Sequence, residues 1–562
     1  MQNTNLWWKE RVVYQIYPRS FQDSNGDGIG DIPGIISRLD ELAALGIGII
    51  WLSPVYRSPD ADNGYDISDY RSIDPRFGTM DDMDALIAEA RKRDIKIIMD
   101  LVINHTSDEH EWFQKSRDKN SPYRDYYIWQ PPKGGVHGQG RKSQPNNWTS
   151  FFMEDVWEFD EQSGEYYLHL FHKKQPDLNY KNPKVIEEIK GILRFWLDKG
   201  IAGFRCDVIN IIYKTSLADG KQRGILPGME WYKSQEGNHA ILQELRRDVL
   251  DKYDCFTVGE TVMVDLDEAK ALCDTGRKEL DMLFYFEHLE VDRRISRFIP
   301  KKFKAEKLLA VFTKWQQGLE WNAVYLENHD QPRIVSHYGV DEVPGILWFR
   351  SATLLAILEF TLRGTPFIYQ GQEIGMTNFD FTSLDQVKDV ESHNLNRLMK
   401  RYHIPAFLRW KWLKASSRDN ARTPVQWSAE DGAGFTTGTP WLGINRNYKR
   451  INYASQKKCR GSILDYYKKL IALRAGSETL KYGEFKPIGS KGGIIAYERT
   501  LGDETWTVLL NFSRKPAGTA FLEKTATGSL LIRSSSTIAF SNADRKELTE
   551  TLLPYEALVL KE

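Results

Sequence analysis

The segment GFRCDVIN, residues 203–210, places two charged side chains inside a run that otherwise predicts a buried strand. Arg205 and Asp207 are two residues apart, and residues two apart in a strand point to the same face. Burying a charge is costly unless the charge is paired or used. We therefore expect Asp207 to be a reactive carboxylate, with Arg205 beside it favouring its charged form.

Glu260 supplies a second carboxylate at the tip of another apolar run, FTVGE. Two carboxylates on either side of a glycosidic bond are the minimum for its hydrolysis, one as nucleophile or base and the other as acid. Asp207 suits the first role. Glu260 suits the second, because desolvation at the end of an apolar strand raises the pKa of a carboxyl group.

Three more polar side chains end strand-like runs, namely His105 in VINH and His329 and Asp330 in ENHD. Any one of them alone could belong to a structural ion cluster. If the strand ends meet at one edge, all of these groups converge on one face together with the two carboxylates. Such a convergence favours a catalytic site over an accidental cluster.

Eight strand-like runs, alternating with helical patterns, must position these groups. Alternating β and α elements predict a parallel sheet, and eight strands favour a closed (β/α)8 TIM barrel, an α/β fold. The active site of such a barrel lies at the carboxyl ends of its strands, where the side chains above fall. The predicted strands cover residues 12–18, 47–54, 95–105, 203–210, 256–260, 281–287, 323–330 and 366–371.

The spacing of these runs predicts three units. About a hundred residues separate the third and fourth strands, far more than one helix needs, and they predict an inserted lobe. Short alternating strands near the C-terminus predict an antiparallel β-sandwich. The predicted boundaries are 1–105 for the first part of the barrel, 106–177 for the lobe, 178–483 for the second part of the barrel and 484–562 for the sandwich.

The composition restricts the class of protein. The chain has 562 residues, of which 41% are hydrophobic, and a net charge of -1, so no overall field attracts nucleic acid or a membrane surface. The N-terminus has no apolar signal segment, and no apolar run is long enough to span a bilayer. The four cysteines show no C-x-x-C spacing and are expected to be reduced. These features predict a cytoplasmic protein that is a monomer or a weak homo-oligomer.

Several long motifs carry a family resemblance. GFRCDVIN, VGE and ENHDQPR resemble three signature segments of glycoside hydrolase family 13, the α-amylase family. WWKERVVYQIYPRSF, DNGYDISDY, VINHTSDEH, QPDLNY and RDNARTPVQW resemble its oligo-1,6-glucosidase and α-glucosidase branch. The resemblance covers essentially the whole chain. It implies small oligosaccharide substrates and a reaction that retains the anomeric configuration.

The resemblance also implies roles for individual residues. Asp207 would attack the anomeric carbon, Glu260 would act as acid and then base, and Asp330 would stabilise the transition state. Arg418 would pair with Asp62 and close the pocket, which makes the enzyme exo-acting. The implied substrate-binding residues are Asp62, Tyr65, His105, Phe171, Gln175, Arg205, Val208, His329, Glu391 and Arg418.

Without the resemblance, three of these residues have plain alternatives. Tyr65 could be an ordinary loop aromatic, and Phe171 could be a core residue of the lobe. Asp62 and Arg418 could form a surface salt bridge.

The linkage specificity depends on two positions. In this branch, Val208 after the nucleophile and Glu391 in DVESHN imply a preference for α-1,6 linkages. Sucrose isomerases or transglucosidases are an alternative, although the segment EHLEVDRRISRF, residues 287–298, does not clearly reproduce their pattern. Trehalose-6-phosphate hydrolase is another alternative and would need a basic pocket for the phosphate. A non-catalytic carbohydrate-binding or transporter-associated relative is disfavoured, because all three carboxylates are present.

The loop DSNGDGIGD, residues 23–31, resembles the opening of an EF-hand. It departs from that motif at its twelfth position, which is Gly34 instead of Glu, and it follows a predicted strand instead of a helix. Relatives in this branch carry Ca²⁺ here, so the resemblance implies a structural Ca²⁺, or Mg²⁺, away from the chemistry. A turn closed by its own Asx side chains is the alternative. The implied ligands are Asp23, Asn25, Asp27, Ile29 through its carbonyl, and Asp31.

Overall fold

The structure is a computed structural model that describes residues 6–133, 143–221, 226–294, 299–520, 529–534 and 551–562. Its centre is a parallel sheet of eight strands, which confirms the predicted (β/α)8 TIM barrel. The strands are β1 Val13–Ile16, β2 Ile49–Leu52, β3 Lys96–Leu101, β4 Gly203–Cys206, β5 Phe256–Glu260, β6 Met282–Phe284, β7 Ala323–Tyr325 and β8 Thr365–Tyr369.

Hydrogen bonds join the strands in the order β6-β5-β4-β3-β2-β1-β8-β7. Side chains bridge the remaining edges, β6 and β7. The Tyr325 hydroxyl donates to the carbonyl of Tyr285 at 2.8 Å, and the ring centroids of Phe284 and Tyr325 lie 4.9 Å apart. The eight strands therefore enclose one barrel, and their carboxyl ends meet at a single face.

Helices cover the outside of the barrel, which explains why its strands are apolar on both faces. Pro183–Lys199 shows why the sequence forms helices at these places. Asn182 caps its N-terminus by accepting from the backbone N–H of Lys184, and Gly200 ends it with a φ of 104°. Between these ends, apolar residues at helical spacing face the barrel.

The α-helices of the described residues span Ile32–Ser37, Leu39–Leu45, Met80–Lys92, Glu111–Ser116, Pro183–Lys199, Glu236–Asp248, Leu266–Cys273, Ala305–Gly318, Ile334–His337, Ile346–Thr361, Val390–Arg401, Ala406–Ser416, Tyr453–Lys457, Ile463–Ala475 and Glu478–Tyr482. None of them is both long and apolar enough to cross a membrane.

Several strands are shorter than predicted, and the fourth differs most. It ends at Cys206 rather than at residue 210. Val208 then adopts a left-handed conformation with a φ of 37°, and Ile209–Ile211 form a 3-10 turn. The apolar pattern continues past Cys206 because the turn is buried too, so hydrophobicity alone could not show where the strand ends.

The predicted lobe contains a three-stranded antiparallel sheet between β3 and Pro183–Lys199. Its strands are Trp129–Gln130, Glu165–Leu168 and Trp157–Asp160, with Glu165–Leu168 in the middle. Aromatic side chains fill its core, where the Phe113 ring stacks on Trp129 at 5.5 Å. Part of the glycine-rich segment of the lobe, residues 134–142, lies outside the described residues.

The C-terminal strands are β9 Glu484–Lys491, β10 Ile494–Leu501, β11 Glu504–Asn511, β12 Ser529–Arg533 and β13 Ala557–Lys561. They form an antiparallel sheet in the order β9-β10-β11-β13-β12, beside the short ribbon Ala517–Gly518 and Thr551–Leu552. Buried Arg499 joins this sheet to the barrel by donating to the carbonyl of Thr361 at 2.5 Å. The predicted sandwich and domain boundaries stay predictions.

Candidate active site

Arg205 connects the two proposed catalytic carboxylates at the carboxyl end of the barrel. Its Nη1 atom lies 2.6 Å from Asp207 Oδ1, and its Nη2 atom lies 2.7 Å from Glu260 Oε2. Nη1 also contacts Asp100, the next-to-last residue of β3. Arg205 is 1% exposed, so the expected pair of Arg205 and Asp207 forms within a buried cluster of three carboxylates and one guanidinium.

The charges of this cluster do not balance. Burial raises the pKa of Asp207 well above its usual range, against the attraction of Arg205, and Glu260 and Asp100 raise it further. Burial also raises the pKa of Asp100 to about 6. The sequence predicts that Arg205 favours the ionised form of Asp207, but its single positive charge is divided among three acids. Burial and the two neighbouring acids outweigh it and favour the protonated form of Asp207.

Val208, which follows Asp207, contacts Glu260 through its backbone. Its left-handed conformation is an outlier for a β-branched residue, and its N–H donates to Glu260 Oε2 at 3.3 Å. The Val208 side chain is 7% exposed and belongs to an apolar cluster with Trp148 and Tyr232. Val208 thus has a packing role as well as a place in the site.

His329 and Tyr65 form a second connected group. Gln15 Nε2 donates to His329 Nδ1 at 2.8 Å, which leaves the Nε2 proton for the Tyr65 hydroxyl at 2.7 Å. Burial lowers the pKa of His329 to about 3, partly opposed by Asp330. His329 is therefore a neutral group that donates a hydrogen bond toward the pocket. Tyr65 is 7% exposed and belongs to the site rather than to an open loop.

Asp330 follows His329 and lies between two guanidinium groups. Arg422 Nη2 is 2.5 Å from Asp330 Oδ1, and Arg418 Nη1 is 3.4 Å from the same oxygen. The Asp330 side chain is 23% exposed, so it faces the open part of the site. A small, partly open cavity lies beside it, lined by Phe286, Leu289, Glu290, Arg293, Asp330, Gln331, Pro332, His337 and Ser416.

Arg418 holds one end of the pocket closed. It contacts Asp62 at 3.4 Å as expected, and both side chains are buried, which excludes a surface salt bridge. Its nearest acid is Asp389 at 2.7 Å, and Glu391 lies 3.6 Å away. Although burial opposes it, the attraction of Arg418 and Arg422 lowers the pKa of Asp389 to about 2. The closed end is therefore a network around Arg418 rather than one pair.

The lobe brings the last predicted residues to the site. Gln175 Nε2 donates to Asp62 Oδ2 at 3.2 Å and lies 3.1 Å from His105 Nε2. Burial lowers the pKa of His105 to about 3, so it is neutral like His329. The Phe171 ring lies 5.2 Å from His105 and stacks on Phe151 at 5.0 Å. Phe171 is thus both a lobe core residue and a neighbour of the pocket.

The loop of residues 23–31 lies after β1, and its side chains bond to the loop itself. Asp23 accepts from the N–H groups of Asn25, Gly26 and Gly28. Asp31 accepts from Ser24 and Gly34. Side-chain oxygens of this kind suit Ca²⁺, but no group of three or more His, Cys, Asp or Glu side chains converges as a metal site within the described residues. The geometry of the alternative, a turn closed by its own Asx side chains, is present.

Sequence reasoning missed several residues that hold the site together. Asp100 stands inside an apolar run, the same signal that revealed Asp207. Asp389 is two residues before Glu391, and Arg422 is four residues after Arg418 in the quoted motif RDNARTPVQW. Neither of the last two had a partner that the sequence could identify, because their contacts come from distant segments. The structure adds Gln15, Trp51, Asp100, Asp389 and Arg422 to the residues around the pocket.

Comparison with known proteins agrees with this geometry. The model of the alpha-amylase catalytic domain matches residues 15–483. The chain belongs to the α-amylase family. Within it, the chain is 48% identical to the oligo-1,6-glucosidase of Parageobacillus thermoglucosidasius over 99% of both chains. It is 41% identical to the trehalose-6-phosphate hydrolase of Bacillus subtilis, with 99% of this chain and 98% of the relative covered.

Solved structures of the α-amylase family have the same fold. The isomaltulose synthase of Erwinia rhapontici NX5 in complex with sucrose superposes with a TM-score of 0.92, at 42% identity over 99% of both chains. The trehalose-6-phosphate hydrolase of Bacillus licheniformis gives a TM-score of 0.90, at 41% identity over 99% of both chains. These neighbours confirm the barrel fold and leave the substrate to be decided by the site.

Proposed function

We propose that the chain is an exo-acting, retaining α-glucosidase, a glycoside hydrolase that releases glucose from the non-reducing end of short oligosaccharides. We propose a preference for α-1,6 linkages, as in isomaltose, isomalto-oligosaccharides and panose. The observation that carries the proposal is Arg205, whose two nitrogens hold Asp207 and Glu260 at 2.6 and 2.7 Å within one pocket. Three oligo-1,6-glucosidases at 46% to 48% identity support the linkage.

In this mechanism Asp207 attacks the anomeric carbon and forms a covalent glucosyl intermediate, while Glu260 protonates the departing glycosidic oxygen. Glu260 then accepts a proton from water, which hydrolyses the intermediate. Asp330 binds hydroxyls of the distorted sugar. For the attack, the nucleophile must be ionised while the acid is protonated.

The two ends of the site support exo action on short chains. Arg418, Asp62 and Asp389 form a buried network at one end, where a longer chain could not pass the first glucose. The cavity beside Asp330 offers space on the other side for the departing sugar. His105, His329 and Tyr65 lie between these ends and are neutral donors or flat surfaces for the glucose ring.

Two related activities remain as alternatives because relatives or neighbours carry them. A trehalose-6-phosphate hydrolase would need free cationic groups for the phosphate. Arg293, in the segment 287–298, instead donates to His337 at 2.9 Å and lies 3.4 Å from Asp292. The same segment bears on the second alternative, sucrose isomerase or transglucosidase activity. Its residues 295–298 lie outside the described residues.

We further propose a structural Ca²⁺, or Mg²⁺, in the loop 23–31, supported by its oxygen donors and by its position away from the carboxylates. The expected cytoplasmic location and the monomeric or weakly associated state stay predictions. So does the absence of nucleic-acid and membrane partners. The four cysteines are free in the structure, which supports a reducing environment.

The anomer of the first product tests the catalytic assignment. The purified protein should release glucose from isomaltose and from p-nitrophenyl α-glucoside, and proton NMR should detect α-glucose first. Asp207→Asn should remain folded and lose several decades of kcat, because it removes the nucleophile. The exposed surface substitution Asp84→Asn should leave kcat unchanged. Release of β-glucose first, or near-normal turnover by Asp207→Asn, would rule out the assignment.

A further inference from the structure

We propose that Arg422 is a positioning residue that acts through Asp330, holding this carboxylate in the orientation that the transition state requires. The proposal rests on the proposed function, because it needs Asp330 to work on the substrate. Arg422 itself is 1% exposed and lies behind Asp330, so it cannot contact the sugar.

The guanidinium of Arg422 bonds to two consecutive residues, His329 and Asp330. Nη2 contacts Asp330 Oδ1 at 2.5 Å, and Nε donates to the carbonyl of His329 at 3.0 Å. One rigid guanidinium plane therefore fixes the Asp330 carboxylate relative to its own backbone. Because His329 is also part of the site, the same plane sets the spacing between the two groups.

Arg418 does not hold Asp330 in the same way. It reaches the same oxygen of Asp330 at only 3.4 Å, and its closest contact is with Asp389 at 2.7 Å. If Arg422 is removed, Asp330 loses its nearest donor and can turn toward Arg418. Such a turn would move the carboxylate toward the closed end of the pocket and away from its working position.

Arg422 is itself held on several sides. Its backbone N–H donates to the carbonyl of Asp419 at 3.2 Å, and its own carbonyl accepts from the Ser20 hydroxyl at 2.5 Å. Its guanidinium lies 5.8 Å from the ring of Tyr17, and that ring stacks on His329 at 6.1 Å. The side chain therefore comes from a rigid support, as positioning requires.

Asp330 faces charged or titratable groups from several elements, namely Arg418, Arg422, His329, Asp62 and Tyr65. His329 is neutral, so the two arginines are the cations that favour the ionised form of Asp330. Loss of Arg422 would remove the nearer of these two cations.

Three variants test the proposal on the full-length enzyme with isomaltose as the substrate. Arg422→Lys keeps the charge but cannot hold both oxygens, so kcat should fall about 10-fold or more with little change in KM. Arg422→Gln should lower kcat by about 100-fold. Arg474→Lys is the matched control, since Arg474 is also buried but donates to the carbonyls of Phe360 and Leu362. It should change Tm and leave kcat and KM unchanged.

A double-mutant cycle separates positioning from simple stability. If Arg422 acts through Asp330, adding Arg422→Lys to Asp330→Asn should cost little further kcat. A folded Arg422→Lys with wild-type kcat would overturn the proposal, and so would equal losses in both backgrounds. Inactive wild-type enzyme would instead contradict the proposed function, which keeps the two failures distinct. If Arg422→Gln does not fold, Arg422→Lys and the cycle decide.

Discussion

Arg205 carries one positive charge between Asp207, Glu260 and Asp100, and this imbalance is a working feature of the site. With all four groups ionised, the buried cluster would hold an excess of negative charge in a medium that solvates charge poorly. Protonation of Asp207, which burial and the two neighbouring acids favour, relieves that excess. Arg205 meanwhile keeps Asp207 and Glu260 close to each other.

Val208 tests the assignment of linkage at the residue scale. Val208 directly follows the proposed nucleophile along the chain, and discrimination by methyl groups in a pocket is worth about 10- to 200-fold. Val208→Ala should raise kcat/KM for maltose relative to isomaltose within that range without abolishing cleavage of isomaltose. Steady-state kinetics on both sugars check the ratio.

Ile211→Val is the control for Val208, because Ile211 belongs to the same apolar cluster but lies further along the turn. It should lower stability without changing the ratio. If Val208→Ala scales both substrates equally, Val208 has only a packing role. The main argument for an α-1,6 preference from this residue would then be lost.

Residue types and spacing in the sequence were enough to predict that Arg205 and Asp207 contact each other. They were not enough to predict how many acids share Arg205, because Asp100 comes from another strand. The same limit applies to Arg418, whose expected partner Asp62 is farther away than the unexpected Asp389. Local sequence predicts which side chains are buried and charged, while long-range folding decides which of them pair.

Lys214 joins three chain segments around the pocket. It is buried and contacts Asp177 Oδ2 at 2.6 Å and Asn104 Oδ1 at 2.7 Å. Asn104 Nδ2 in turn lies 3.2 Å from His105 Nδ1. One ammonium group thus joins the segment after β3, the end of the lobe and the loop after β4. It fixes the lobe on the barrel.

Removing Lys214 should be strongly destabilising. Lys214→Met leaves the Asp177 carboxylate buried without its cation, which costs about 3–5 kcal/mol for buried pairs of this kind. Lys190→Met is the matched control, since Lys190 is equally buried but its partners Glu187, Glu244 and Asp248 are partly exposed and can be hydrated. Thermal denaturation should show a larger fall in Tm for Lys214→Met. Equal falls would mean that the pair does not anchor the lobe.

The loop 23–31 makes a separate prediction about metal. If it binds Ca²⁺, the ion stabilises the native state by mass action, by about 2.7 kcal/mol at a hundred times Kd. Chelator should lower the Tm of the wild type, and CaCl2 should restore it. Asp23→Ala should remove this response, whereas Asp84→Ala should keep it. A Tm that does not respond to chelator would show that the loop is only an Asx-rich turn.

The order of elements along the chain was sufficient to predict the barrel. Eight apolar runs separated by helical patterns leave few other arrangements. The ends of the strands were harder to place, since the turn after β4 is as apolar as the strand before it. The two-stranded ribbon beside the C-terminal sheet could not be predicted, because such short pairings depend on contacts and not on pattern.

At the scale of the whole molecule, barrel and lobe together shape the site. The barrel supplies Asp207, Glu260 and Asp330, which end or follow separate strands. The lobe supplies Phe171 and Gln175. Arg418, from a segment after β8, closes the remaining side through Asp62. We expect a pocket closed in this way to accept one glucose, so the preferred linkage depends on the residues around the departing sugar, among which we place Val208.

The most direct test of the proposed function is kcat/KM for isomaltose, maltose, sucrose and trehalose 6-phosphate, measured as the release of glucose by one preparation of the full-length protein. We expect isomaltose to have the highest value, with maltose about 10- to 200-fold lower. A higher value for maltose or trehalose 6-phosphate, or conversion of sucrose to an isomer as the main reaction, would contradict the assignment of an α-1,6-specific glucosidase.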